Sequence, residues 1–298
     1  MPETHQRFLQ PKLLALLGKM ELRAATVVEG VMAGLHRSPY RGLSIEFAEY
    51  RHYQPGDEPK RIDWKAYARS DRHYIKEFED EVNLEARIVM DASASMSFGS
   101  NGITKWQYTG YMAASLAYLL QSQRDEIGLV VLDEDIRVEF QPKHLRGHLI
   151  RLIGAMESVT PSRETRLASV LHRVAAKLRR RGMIIVLSDL LDDPAEVIAA
   201  LRHLQFGGND VVVFHLLDPA ELRFDFSGPT RFIDPETNAM VPALAEDVKG
   251  PYLDALGAFL KTYREELGKT NIAYTLIDTS EPLDRALLAF LSYRMKRK

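Results

Sequence analysis

From Leu84 onward the chain alternates short apolar runs with stretches of helical period. The runs Ala86 to Asp91, Ile127 to Leu132, Met183 to Ser188, Val211 to Leu217 and Ile272 to Ile277 are bounded by polar residues and too short for helices, so each predicts a buried strand. Between them, spacings of three and four predict helices over Thr104 to Ser122, Leu145 to Ser158, Arg166 to Arg181, Pro194 to Gln205 and Pro251 to Leu267. One start is well marked: Asp193 can cap, Pro194 can take the first helical position, and Glu196 can close a capping box. Near-continuous apolar strands alternating with helices mean a doubly wound, mostly parallel α/β sheet covered on both faces. One stretch departs from this. Asp133-Glu-Asp135 separates Ile127 to Leu132 from Ile136 to Phe140 without room for a helix, which predicts a hairpin and one antiparallel edge strand.

The chain before this region has a different character. Leu13, Met20, Ala24 and Val31 fall on one stripe of an amphipathic helix within residues 1–34, which either packs on its own domain or fills a partner's groove. Residues 35–83 are punctuated by Pro39, Gly42, Pro55 and Gly56. They hold alternating stretches such as Leu43 to Phe47 and Tyr74 to Phe78, the pattern of a small β-rich segment. Residues 84–298 then form the α/β domain.

Composition narrows the chemistry. With no cysteine among 298 residues, thiol nucleophiles, disulfides, zinc ribbons and iron–sulfur clusters are excluded, and a bound metal must be held by oxygen or imidazole. A formal charge of −2 supplies no global field for nucleic acid. The densest apolar stretch, Tyr111 to Leu120, is too short for a membrane span and carries Ser115. Glu3 and His5 stand where a signal peptide would be basic. The expectation is a cytoplasmic protein without a membrane span.

In an open α/β sheet the site lies beyond the carboxyl ends of the strands. After the first predicted strand come Asp91, Ser93 and Ser95, whose alternation can bring one carboxylate and two hydroxyls to one point. Such hard donors suit magnesium or manganese, although the same residues could simply satisfy backbone groups in a turn. Thr165, just before a predicted helix, and Asp189, just after a predicted strand, belong to the same rim.

Asp91-x-Ser93-x-Ser95 with Thr165 and Asp189 resembles the metal-ion-dependent adhesion site of von Willebrand factor type A domains. Upstream, the run from Arg51 through Asp57, Arg61, Asp63, Trp64 and Arg69, leading into Asp91 to Met96, resembles the signature of the family called domain of unknown function 58. The resemblance implies that Ser93, Ser95 and Thr165 ligate a magnesium, manganese or calcium ion directly and that Asp91 and Asp189 act through water. It also implies that an Asp or Glu of a protein partner completes the coordination. The partner it implies is a MoxR-type AAA+ ATPase or that ATPase's client, with this chain as a non-enzymatic adaptor in assembly or maturation. A magnesium-dependent hydrolase or phosphoryl-transfer enzyme, and a metal-free scaffold, are the alternatives. Against the enzyme stands Ser93, at the position where phosphohydrolases of this architecture generally carry a second aspartate. Arg163-Glu164 precede Thr165 where many A domains have a glycine pair.

Other constellations are weaker. His144 and His148 have metal-ligand spacing, but no Glu follows His144, and an exposed helix face is the expected setting. Lys177 and Arg179 to Arg181 are expected to end a helix, where cations complement the dipole. Arg51, Asp57, Arg61, Asp63, Trp64 and Arg69 form either an ion-paired structural motif anchored by Trp64 or a partner-binding patch. No Walker A, G-x-G-x-x-G or G-x-S-x-G motif is present.

Overall fold

Arg51 lies in the first of two short strands, β1 (Tyr50–His52), which pairs antiparallel with β2 (Tyr74–Lys76), placing Arg51 opposite Ile75. The computed structural model describes residues 50–53, 64, 67, 74–76, 84–145, 147–162, 166–237 and 239–295. Near these strands Trp64 and Tyr67 are helical and their rings meet edge to face at 6.1 Å. Asp57, Arg61, Asp63, Arg69, the predicted helix within residues 1–34 and the predicted strand Leu43 to Phe47 lie outside the described residues. The chain divides near Asn83 into two compact units, each described by itself.

In the larger unit, β3 (Glu85–Asp91) leads through a 3-10 turn (Ala94–Ser97) into α1 (Lys105–Ser122). The hairpin β4 (Glu126–Leu132) and β5 (Ile136–Lys143) follows, then α2 (His148–Ser158), α3 (Leu167–Lys177), β6 (Met183–Ser188), α4 (Pro194–Phe206) and β7 (Asp210–Leu217). After β7 come a short α5 (Pro219–Arg223), the hairpin β8 (Pro229–Ile233) and β9 (Met240–Leu244), a long α6 (Ala245–Gly268), β10 (Ala273–Asp278) and α7 (Leu283–Met295).

The sheet has the order β10-β7-β6-β3-β4-β5. All its neighbours are parallel except β4 with β5, so the fold is the mostly parallel α/β sheet with one antiparallel edge strand that the apolar pattern predicts. At that edge the ladder slips between Ile127 and Leu129, and a Cβ on Gly128 would meet the Phe140 carbonyl oxygen at 2.7 Å. The close approach requires glycine.

Strand alternation sorts the core into two layers. Val89, Val130, Ile184, Val186, Val211 and Val213 pack with Leu171, Leu201, Tyr263 and Leu267 of α3, α4 and α6. Ile88, Met90, Leu129, Ile185 and Phe214 alternate with them, are equally buried, and face the opposite layer, where α1 packs with α2 and α7.

Several boundaries differ from the sequence pattern. α2 starts at His148 rather than Leu145, after Gly147 in the left-handed region at φ 82°. His148 is therefore buried, not on an exposed helix face, and its Nε2 lies 2.8 Å from the Ile127 carbonyl. α3 ends at Lys177, so the basic residues after it belong to a connection in which Arg180 pairs with Glu85 at 3.2 Å. Asp193 does cap α4, accepting from Ala195 and Glu196 N–H groups, but the Asp193 N–H donates to Asp192 and not to Glu196. α6 begins six residues before Pro251 and runs through it. The β8–β9 hairpin, α5 and α7 had no counterpart in the expected elements.

Candidate functional site

β3 and β6 end side by side, with Met90 opposite Leu187. One step further, Asp91 and Ser188 continue the face of Val89 and Val186, and the Ser188 hydroxyl donates to Asp91 Oδ2 at 2.6 Å. The other carboxylate oxygen, Oδ1, accepts from the backbone N–H of Ser93 at 2.9 Å, which curls the chain into the 3-10 turn. That turn brings Ser93 Oγ to 3.0 Å from Ser95 Oγ. Asp91, Ser93 and Ser95 are all buried.

Asp189 follows Ser188 and so leaves β6 toward the α1 layer. There Lys105, wholly buried in the first turn of α1, donates to Asp189 Oδ2 at 2.8 Å and to Glu221 Oε1 at 2.7 Å. Glu221 is held in turn, because its second oxygen accepts from the Asp218 N–H at 2.8 Å and closes a capping box at α5. Asp218 also accepts from Ser100 N at 2.9 Å, which ties the loop after the 3-10 turn to the end of β7. The backbone bends sharply beyond Asp189: Leu190 sits at φ 53°, a conformation costly for a branched side chain. It is held there by Ser188 Oγ, which accepts from its N–H at 2.9 Å, and by the Tyr263 hydroxyl, which donates to its carbonyl at 3.1 Å.

Electrostatics separate the two aspartates. Burial, with Asp189 nearby, pushes Asp91 up to about 7, against the hydrogen bonds from Ser188 and Ser93. Burial would also raise Asp189, but the Lys105 ammonium and a hydrogen bond from Ser95 outweigh it and hold the carboxyl below its ordinary value. For Lys105, burial favours the neutral amine, yet Asp189 and Glu221 together push its pKa up. Burial pushes Glu221 up despite Lys105. Behind Asp189, burial holds His215 down to about 4, with its Nδ1 2.8 Å from the Tyr274 hydroxyl.

Asp91, Ser93, Ser95 and Asp189 thus meet at one rim of the sheet. Thr165 lies outside the described residues, while the described residues flanking it are tethered: Ser162 N donates to the Ala92 carbonyl at 3.1 Å and Ala168 N to Asp192 Oδ2 at 3.2 Å. Among the described residues no three His, Cys, Asp or Glu side chains gather as a metal site, so a cation here would depend on the hydroxyls. Their 3.0 Å separation is that of a hydrogen bond. It also matches the roughly 3 Å between adjacent oxygens of a magnesium octahedron with bonds of about 2.0–2.1 Å. The donor set fits a hard divalent cation.

Ser188, Lys105, Asp218 and Glu221 were not among the residues singled out from sequence. A signal existed for two of them: Asp218-Pro-Ala-Glu221 repeats the tetrapeptide Asp193-Pro-Ala-Glu196. Here the box closes because no neighbouring acid intercepts the cap's N–H. Lys105 had a fainter signal, as a cation one residue after the N-cap Thr104, at the positive end of a helix.

Uncharacterized proteins of Mycobacterium tuberculosis and Mycobacterium bovis are 28% identical over 250 residues, covering 80% of this chain and 77% of theirs. Among solved structures, BatB from Bacteroides thetaiotaomicron is similar at 14% identity and a TM-score of 0.46, over 72% of this chain and 100% of that one. The VWA domain of SpRpn10 is similar at 14% identity and a TM-score of 0.39, over 70% and 94%. The sequence profile described as "Protein of unknown function DUF58" matches residues 49–248, well over half of the chain, and the chain belongs to that family.

Proposed function

We propose that this protein is a binding adaptor that docks an acidic side chain of a protein partner at a divalent cation, magnesium or manganese, held at the rim of its sheet. Ser93, Ser95 and Thr165 would be direct ligands, with Asp91 and Asp189 behind them. The cation's chemistry is that of a Lewis acid with one position left for the partner's carboxylate. What carries the reading is the convergence of Asp91, Ser93, Ser95 and Asp189, with the two hydroxyls 3.0 Å apart. Resemblance to its family suggests the partner: a MoxR-type AAA+ ATPase or its client, met in the cytoplasm.

The arrangement of Asp91 favours binding over catalysis. Each of its oxygens accepts a hydrogen bond, from Ser93 N and from Ser188 Oγ, and the side chain is buried, so it is held as a buttress rather than presented as a nucleophile. A cation that binds only the folded chain raises its melting temperature by mass action. Millimolar magnesium or manganese is therefore expected to raise the midpoint for the native protein, and Asp91→Ala to abolish the rise. A midpoint indifferent to metal would remove this reading. Pull-down of the ATPase in buffer with and without chelator tests the partner, and equal recovery would take the cation out of the interface.

A further inference from the structure

We infer that Lys105 is a built-in counter-cation of the rim, which keeps the site's affinity for a divalent metal low until a partner's carboxylate arrives. The inference rests on the metal-docking reading above and concerns how that site is regulated.

Lys105 is an unlikely residue for its place on two physical grounds. It stands in the first turn of α1, where the helix dipole disfavours a cation, and its side chain is 0% exposed, which disfavours any charge. The fold compensates with two carboxylates from different loops, Asp189 after β6 at 2.8 Å and Glu221 on α5 at 2.7 Å. One of these is an aspartate of the rim itself. Asp91 and Asp189 are the described carboxylates of the proposed metal site, and the Lys105 ammonium, which Glu221 shares, offsets part of the Asp189 charge.

A divalent ion entering beside Ser93 and Ser95 therefore meets an aspartate whose charge is already partly offset by a fixed ammonium, in a buried, weakly screened setting. Its binding and the Lys105–Asp189 pair oppose each other. An incoming Asp or Glu supplies the negative charge that Lys105 has offset, so metal and partner bind together more tightly than either binds alone, the two affinities being linked reciprocally. Glu221 works the other way from Lys105: it shares the ammonium and leaves more of the Asp189 charge for the cation.

Calorimetric titration of the full chain with manganese chloride tests this. Lys105→Met should bind manganese at least about tenfold more tightly than the native protein, and Glu221→Gln several-fold more weakly. Glu221 is 18% exposed, and Glu221→Gln leaves the Lys105–Asp189 pair in place, so this variant decides the matter if Lys105→Met does not fold. Equal affinity in the native protein and both variants would overturn the role of Lys105 and leave metal docking standing. Tight binding in Lys105→Met with none in the native protein would support Lys105 as the counter-cation and overturn metal docking by the native site. No binding in any of the three would overturn both.

Discussion

The Ser188 hydroxyl reaches from β6 to Asp91 on the adjacent β3 at 2.6 Å, joining the two strands whose ends carry the candidate site. Because both groups are buried, removing the donor leaves a carboxylate oxygen without its partner. Ser188→Ala should cost about 1–3 kcal/mol in urea unfolding at pH 8. The bond stabilises the ionised carboxyl, so its loss should also move Asp91 above about 7, an upward shift measurable by carbon NMR of the side chain. An unchanged titration would mean that Ser188 does not hold the charged form.

The Lys105–Asp189 pair predicts a marked non-additivity. Lys105→Met leaves the buried Asp189 without its cation and should cost roughly 3–5 kcal/mol, whereas Asp189→Asn leaves Lys105 still paired with Glu221 and should cost less. The double variant removes both charges. It should therefore be more stable than the sum of the single losses by at least about 1 kcal/mol, read from denaturant midpoints at constant slope. Simple additivity would show that the two groups are not energetically paired.

His215 and Asp91 give stability opposite pH dependences. Burial holds His215 down to about 4, so its contribution is present above the unfolded value near 6.5 and is lost as pH falls toward about 4. Asp91 is raised to about 7, so its contribution is present below about 4 and is lost as pH rises through about 7. Replacing His215 by Gln removes the first effect alone. The stability gap between native protein and His215→Gln should narrow by up to roughly 3 kcal/mol between pH 8 and pH 4, measured by denaturant unfolding across that range. A gap that stays constant would show that the imidazole titrates normally.

The sequence pattern made the sheet readable because β3, β4, β6 and β7 are buried on both faces, which forces unbroken apolar runs. The β8–β9 hairpin escaped because its residues are mostly solvated and Pro242 sits inside β9, where proline argues against strand. Half of the site was readable for a similar reason. Asp91 ends β3, Ser93, Ser95 and Asp189 come just after strands, and strand ends are where a parallel sheet concentrates its chemistry. Lys105 and Glu221 lie in first turns of helices, where a charged residue ordinarily faces water. Only the meeting of three loops, after β3, β6 and β7, reveals that this lysine is buried and what it neutralises.

On the proposed metal-docking reading, the two serines separate cation binding from structural support. The turn that presents them is anchored by backbone groups: Ser93 N donates to Asp91, and Met96 N donates to the Ser93 carbonyl at 3.1 Å. Replacing Ser93 and Ser95 by Ala keeps these bonds and removes the hydroxyl pair, together with the help each hydroxyl gives the nearby aspartates. The double variant should lose about 1–2 kcal/mol of stability without metal. The rise in melting temperature with manganese should vanish, because hydroxyl ligands cannot be replaced by methyl groups. Parallel thermal melts with manganese and with chelator check both halves. If the double variant kept the native shift, the cation would be held elsewhere, and Ser93 and Ser95 would be turn residues whose hydroxyls serve only the two aspartates.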